Sequence, residues 1–276
     1  MIEVIATGPL ATVQDLGRPG HQHLGVGRSG AADQAAHRLA NRLVGNPESA
    51  ATVEITYGGL AVRLLAPATV AFTGARCAGV PGWGMALSLP AGSRLALAAP
   101  ADRLRSYLAV RGGVAVAPVL GSRATDVLSG LGPAVLGAGD RLPVGTVVAG
   151  DPAGEPAPDV GPAGRPVRVV PGPRADWFRS PATLYDRPWI VQPASNRIGI
   201  RLAGRPLERS RAGELSTEPT LPGAIQVPPD GQPIVLFRDA PVTGGYPVIG
   251  VVAAADLDLL GQLRPGEPLR FVRTGS

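Results

Sequence analysis

The sequence predicts a mainly β protein of two lobes with a few short helices, and three observations carry that expectation. Apolar residues come in short runs such as Ala61–Leu65, Thr69–Phe72 and Leu104–Val110, the length of strands rather than helices. The 38 glycines and 30 prolines punctuate those runs, where turns require them. Residues 151–166 stack Pro, Gly and Ala with few apolar anchors, a composition that favours extended chain over a core. That stretch reads as a linker between an N-terminal lobe (1–150) and a C-terminal lobe (167–276), with strands free to be exchanged between them.

Helices are expected in three places. In Asp33–Val44, the residues Ala36, Leu39, Ala40, Leu43 and Val44 share one helical face. Ser29 or Asp33 can cap its start, and Gly45-Asn46-Pro47 stops it. A second helix is read over about Ala175–Tyr185 and a third over Ala254–Leu260, ended by Gly261. The rest reads as strands, including Ile234–Phe237 and Val248–Val252. The two halves end alike: Gly137-Ala138-Gly139-Asp140-Arg141-Leu142 closes the first and Arg264-Pro265-Gly266-Glu267-Pro268-Leu269 the second. This echo suggests two related lobes, each finishing in a turn and a closing strand.

Composition excludes several functions. The basic residues are 26 arginines with no lysine. Without lysine there is no Walker A phosphate loop, no Schiff base and no attachment point for biotin. The net charge of +5 is spread as scattered arginines among few aromatics, which reads as a solvated surface, not a nucleic-acid face. No run of 18 apolar residues offers a membrane span. The segment Met1–Ile5 does not resemble a signal peptide, and the single Cys77 makes no internal disulfide. The expected location is the cytoplasm.

Several motifs invite chemistry. Gly25-Val26-Gly27-Arg28-Ser29-Gly30 matches a dinucleotide glycine pattern, but no buried strand precedes it. The better reading is that its backbone N–H groups and Arg28 approach an anion at the start of the helix. His21, His23 and His37 lie close in sequence without a carboxylate partner for a metal site. Cys77 has no histidine near it in sequence to activate it, and no Gly-x-Ser-x-Gly elbow occurs. Asn196-Arg197-Ile198-Gly199-Ile200-Arg201 alternates polar and apolar residues. On a strand, Arg197 and Arg201 would share a face, either clamping an anion or simply solvated. Gln14-Asp15-Leu16-Gly17-Arg18 places a carboxylate and a guanidinium in one turn, as an internal ion pair or a catalytic pair. Near the C-terminus, Gln226, Asp230, Gln232, Asp239, Thr243 and Tyr246 stand among glycines and prolines, as in a binding loop held by a rigid scaffold or a set of tight hairpins.

These segments, together with Asn41–Glu48, Glu54–Gly59, Val119–Asp126 and Ser195–Leu202, run through the whole chain in a fixed order. In that order they resemble the family of allophanate hydrolase subunit 2 and KipA, carboxyltransferase-like proteins whose bacterial members are described as the C component of 5-oxoprolinase. The resemblance implies paired cyclophilin-like β-barrels with a site between them. It also implies one member of an ATP-dependent, multi-subunit enzyme that opens 5-oxoproline to glutamate, with ATP hydrolysed to ADP and phosphate. The implied partners are a KipI-type B component and a lactam-hydrolase A component, with ATP and Mg²⁺ bound in the complex. Carboxyl transfer from a partner's carboxybiotin to urea, or antagonism of a kinase inhibitor, are the alternative readings.

On this reading Asp15 and Asp239 are the candidate catalytic carboxylates, taking a lactam proton or holding Mg²⁺. Arg18, Arg28, Arg197 and Arg201 are candidates for anion binding. Gln226, Gln232 and Thr243 are candidates for the small amide, with Gln14, Asn196 and Tyr246 completing the set. The loops Gln14–Arg18 and Gly223–Tyr246 are expected to line one cleft, with Gly25–Gly30 in its wall.

Overall fold

In a computed structural model, which describes residues 1–157, 165–211, 213 and 215–274, the chain divides into two compact units. The first comprises Met1–Arg18 and Ser29–Gly161, and the second comprises Pro19–Arg28 and Pro162–Ser276. Both are β-rich, as the sequence predicts. The glycine-bearing segment Pro19–Arg28 therefore groups with the C-terminal half although it lies near the start of the chain.

The first unit is built from β1 (Ile2–Thr7), β2 (Leu10–Gln14), α1 (Gln34–Leu43), β3 (Thr52–Thr56), β4 (Leu60–Leu64), β5 (Ala68–Gly74), β6 (Leu87–Leu89), β7 (Arg94–Ala96), β8 (Arg105–Val110) and β9 (Arg141–Leu142). They form two sheets, β7-β4-β1-β9 and β2-β3-β8-β5-β6. Alternate residues point to one face of a strand, and the pattern is visible here. Ile2, Val4, Leu60, Val62 and Leu64 from the first sheet share one core with Val13, Val53, Ile55, Phe72, Leu108 and Val110 from the second. The opposite face of the second sheet, through Ala71, Tyr107 and Ala109, packs under Ala36, Ala40 and Leu43 of α1. Covering on both faces explains why every residue of β8 is buried.

Helix α1 forms where its periodicity predicts. The Asp33 side chain caps it by accepting the Ala36 N–H. Gly45, at a φ of 72°, ends it in the left-handed conformation that glycine tolerates. The start of the helix is pinned to the sheet by a buried carboxylate. Glu54 on β3 accepts the Ala32 N–H and the Tyr107 hydroxyl, each at 2.8 Å, and the Tyr107 oxygen in turn accepts the Asp33 N–H at 2.8 Å.

The second unit contains β10 (Val167–Pro171), α2 (Thr183–Asp186), β11 (Trp189–Val191), β12 (Gly199–Ala203), β13 (Glu218–Pro219), β14 (Ala224–Gln226), β15 (Ile234–Leu236), β16 (Thr243–Gly244), β17 (Val248–Val252), α3 (Leu257–Leu260), β18 (Pro268–Leu269) and β19 (Phe271–Arg273). Its main sheet runs β18-β11-β12-β15-β14-β17-β10-β19. The two ends of that order, β18 and β19, are adjacent in sequence, so one stretch of chain nearly closes the sheet into a barrel. β13 and β16 form a separate two-stranded ribbon.

Of the other two expected helices, one is broken up and one keeps the bounds read for it. Ala175–Tyr185 resolves into a 3-10 turn, Ala175–Trp177, and the four-residue α2. Pro181 lies between them, and proline disfavours a helical residue before it. Ala254–Leu260 is a 3-10 turn followed by α3. The echo between the half-ends is real in structure: β9 pairs with β1, and β18 pairs with β11, each after a glycine turn, Gly139 and Gly266. Of the stretch read as a linker, residues 158–164 lie outside the described residues. The part before them is held to the first unit, with Ala153 N–H bonded to the Leu43 carbonyl and Ala157 N–H to the Gly84 carbonyl, both at 2.8 Å.

Candidate functional site

In the first unit, the end of β2 and the loop after it bring Gln14, Asp15 and Arg18 against the segment Ser122–Asp126, and all of these residues are buried except the partly exposed Arg123. Asp15 is fully engaged by the chain around it. It accepts from Gly17 N at 2.8 Å, Ser122 Oγ at 2.6 Å and Arg123 N at 2.6 Å. The carboxylate read as a catalytic base is thus the knot that ties the N-terminal loop to Ser122–Arg123. The expected Asp15–Arg18 pairing does not appear as a salt bridge among the described residues. Arg18 instead reaches the Ala124 carbonyl through Nη2 and lies 3.9 Å from Asp126 through Nη1.

Three side chains here carry buried polar atoms without a protein hydrogen-bond partner among the described residues: Arg18 at Nε and Nη1, Gln14 at Oε1 and Thr125 at Oγ1. The Gln14 amide nitrogen is occupied, donating to Thr12 Oγ1 at 3.1 Å and the Thr125 carbonyl at 2.9 Å, so its carbonyl oxygen is fixed in place. Ser29 sits in the same cluster at a φ of 55°, unusual for a residue with a side chain, and its hydroxyl donates to the Thr125 carbonyl at 3.3 Å. Gly30, at a φ of 95°, packs so closely that a Cβ there would lie 2.8 Å from Gly17 N.

At the start of α1, where the sequence suggested an anion, two N–H groups are already occupied. The protein supplies its own carboxylates to those N–H groups, Asp33 to Ala36 N and Glu54 to Ala32 N, so the positive end of the helix is already compensated. Residues 22–24 form a 3-10 turn capped by Gly25 at a φ of 78°, with no strand before the glycines. Arg28 itself is exposed.

In the second unit, Arg197 and Arg201 do not share a strand face. Arg197 lies in the bend before β12 and is buried, whereas Arg201 is on the strand and exposed. Arg197 makes a bidentate pair with Asp239, Nε to Oδ2 at 2.8 Å and Nη2 to Oδ1 at 2.9 Å, with both side chains inaccessible. The alternation in the sequence predicted a strand from Asn196, but β12 starts only at Gly199 because Asn196 bends the chain. Its side-chain oxygen accepts from Ile198 N at 2.8 Å and Gly199 N at 3.2 Å. Gln232 is likewise a backbone tie, exchanging hydrogen bonds with both the N–H and the carbonyl of Gly204. Gln226 on β14 is buried, and its Nε2 lacks a partner among the described residues. A Cβ on Gly244 would meet that nitrogen at 2.4 Å, so glycine makes room for the amide. Thr243 and Tyr246 are exposed beside it.

His37 is buried and serves structure. Its Nε2 donates to the Glu48 carbonyl at 3.1 Å while Nδ1 lies 2.9 Å from the Thr52 hydroxyl. Burial lowers its pKa to about 4, against the opposing pull of the Asp15 charge. Burial also pushes the Cys77 thiol up, away from a reactive thiolate. No group of three His, Cys, Asp or Glu side chains arranged to hold a metal occurs among the described residues.

Thr125, Ser122 and Asp126 carried no role in the reading of single motifs. The available signal was the polar run Ser122–Asp126 beside a glycine, in a protein whose other loops are rich in Pro and Ala.

The chain matches the family described as carboxyltransferase domain, subdomain A and B, over residues 24–273. It belongs to that carboxyltransferase family. It is 41% identical over 285 residues to the C component of 5-oxoprolinase from Escherichia coli (strain K12), covering 99% of this chain and 91% of that one. It is also 31% identical to the urea amidolyase of Lachancea kluyveri, over 98% of this chain but 17% of that protein. Among solved structures, the urea amidolyase of K. lactis superposes with a TM-score of 0.92 at 28% identity, over 99% of this chain and 19% of that chain. This carboxyltransferase-family chain thus spans only a small part of the urea amidolyases. No helix among its described residues is long and apolar enough to cross a membrane.

Proposed function

We propose that this chain is one member of an ATP-dependent, multi-subunit 5-oxoprolinase, acting with partners of the A (lactam hydrolase) and B (KipI) kinds. The observation that carries the reading is the 41% identity to the C component of a 5-oxoprolinase over nearly the whole of both chains. The site chemistry agrees with it. A lactam carbonyl is a poor electrophile, and ATP bound in the complex would supply the phosphoryl group that makes its carbon open to water. This chain's contribution is to hold and orient the small amide with fixed hydrogen-bond groups, which is where enzymes gain most of their electrostatic advantage. Because Asp15 and Asp239 are committed to donors of their own chain, we assign ATP and its Mg²⁺ to the assembled enzyme and derive no step through them.

The likeness to urea amidolyases supports a second reading, carboxyl transfer to urea with biotin carried on a partner. Co-expression with the partner proteins, followed by assays of ATP turnover with 5-oxoproline and with urea, separates the two. Glutamate formation that depends on this chain is the expected result. The chain alone is expected to hydrolyse no 5-oxoproline; robust turnover by it alone, or urea-dependent turnover only, would displace the proposal.

A further inference from the structure

The geometry points to Gln14, Arg18 and Thr125 as a recognition site for the N–H/C=O edge of a neutral amide. The inference rests on the proposed function only for its choice of natural substrate. Its physical basis is the set of buried groups that lack a protein hydrogen-bond partner among the described residues: donors at Arg18 Nε and Nη1 (the latter 3.9 Å from Asp126), an acceptor at Gln14 Oε1, and the Thr125 hydroxyl, which can do either. Leaving such groups unmatched costs roughly 1–3 kcal/mol each, so a cluster of them around one segment is unexpected unless something completes it. All three residues converge on the stretch Ala124–Asp126. Gln14 bonds the Thr125 carbonyl, Arg18 bonds the Ala124 carbonyl, and Thr125 belongs to the stretch itself.

Charge decides which kind of ligand fits. The buried charges beside the cluster are Arg18, Asp15 and Asp126, one positive and two negative. An added carboxylate or phosphate would enter a region already negative, whereas a neutral carbonyl can accept from Arg18 without adding charge. A ligand made only of acceptors would leave Gln14 Oε1 unsatisfied. An amide presents an acceptor and a donor side by side, which matches the set. The lactam of 5-oxoproline, urea and the ureido ring of biotin all carry this edge.

The test uses an isosteric pair, 2-pyrrolidinone and γ-butyrolactone, which differ in the N–H, titrated into the full chain by ligand-observed NMR. The lactam is expected to bind at least about tenfold more tightly than the lactone, because a site with a fixed acceptor rejects a ligand lacking the donor. Gln14→Met should bring that ratio close to 1, and Thr125→Val should weaken the lactam by about tenfold. Melting temperatures would confirm that each variant is folded. Should Gln14→Met fail to fold, the wild-type ratio and Thr125→Val decide alone. Equal affinity for the two rings, an unchanged ratio in folded Gln14→Met, unchanged lactam binding in folded Thr125→Val, or a soaked crystal with only ordered water at these atoms would overturn the inference. Titrations of 5-oxoproline, urea and 2-imidazolidinone then show which natural source is preferred. Glutamate formation by the wild-type complex with an unmoved KM in Thr125→Val would defeat this inference while leaving the proposed function standing.

Discussion

Arg197 and Asp239 form an ion pair with essentially no exposure on either side chain, and its energetics differ from those of a surface pair. Removing one partner leaves the other as an uncompensated buried charge, which costs roughly 3–5 kcal/mol, whereas replacing both with apolar residues is often neutral. Asp239→Ala is therefore expected to lower stability by about that amount in denaturant titrations, with Arg197→Met/Asp239→Leu recovering most of it. A stable Asp239→Ala with unchanged midpoint would show that the pair is dispensable to the fold. His37 provides a pH-dependent counterpart. Its folded pKa of about 4 lies below the ordinary value of 6.5, so the unfolded chain binds the extra proton first as pH falls. Its contribution is intact above about 6.5 and is lost as pH drops towards 4, by up to about 3 kcal/mol. The midpoint of unfolding should fall over that range, and His37→Gln should flatten the slope measured by denaturant titration between about pH 4.5 and 7.

At the scale of elements, the loop between β2 and α1 is shaped before any ligand is considered. Gly30 permits the close approach to Gly17, Ser29 takes a left-handed backbone, and Asp33 caps the helix that follows. Loss of the cap in Asp33→Ala should cost about 1 kcal/mol, visible as a small fall in melting temperature. Gly30→Ala should cost more, because a side chain there meets main-chain atoms of Leu16 and Gly17 that have no room to yield. If Gly30→Ala proved as stable as the wild type, the tight packing of this loop would be refuted. Helix α1 was legible in the sequence because its apolar residues repeat at helical spacing between clear start and stop signals. The strands Ala68–Gly74 and Val248–Val252 were legible as apolar runs between turns. The Arg197–Arg201 strand was misjudged, because alternation alone cannot show the side-chain-to-backbone bonds of Asn196 that delay its start.

For the whole molecule, the absence of lysine among the 26 basic residues sets a limit on chemistry that no fold can change. Co-expression with a biotin ligase should leave this chain unlabelled in a streptavidin blot, and labelling would contradict the assignment of biotin to a partner in the urea-carboxylating alternative. Composition, run length and the ordered motifs determined the β class, the family and that exclusion, because each depends only on which residues are present and how they are spaced. Which polar residues are satisfied within the fold and which keep buried atoms without a hydrogen-bond partner among the described residues was decided by tertiary structure alone. Asp15, Gln232 and Asp239 looked as available as Gln14 and Arg18 in the sequence. Only the fold brings Ser122, Arg123, Gly204 and Arg197 to the first group while leaving Gln14 Oε1 and two Arg18 nitrogens without protein hydrogen-bond partners among the described residues. Hydrogen-bond satisfaction depends on chain segments far apart in sequence, such as Asp15 and Ser122, and no local pattern encodes that meeting.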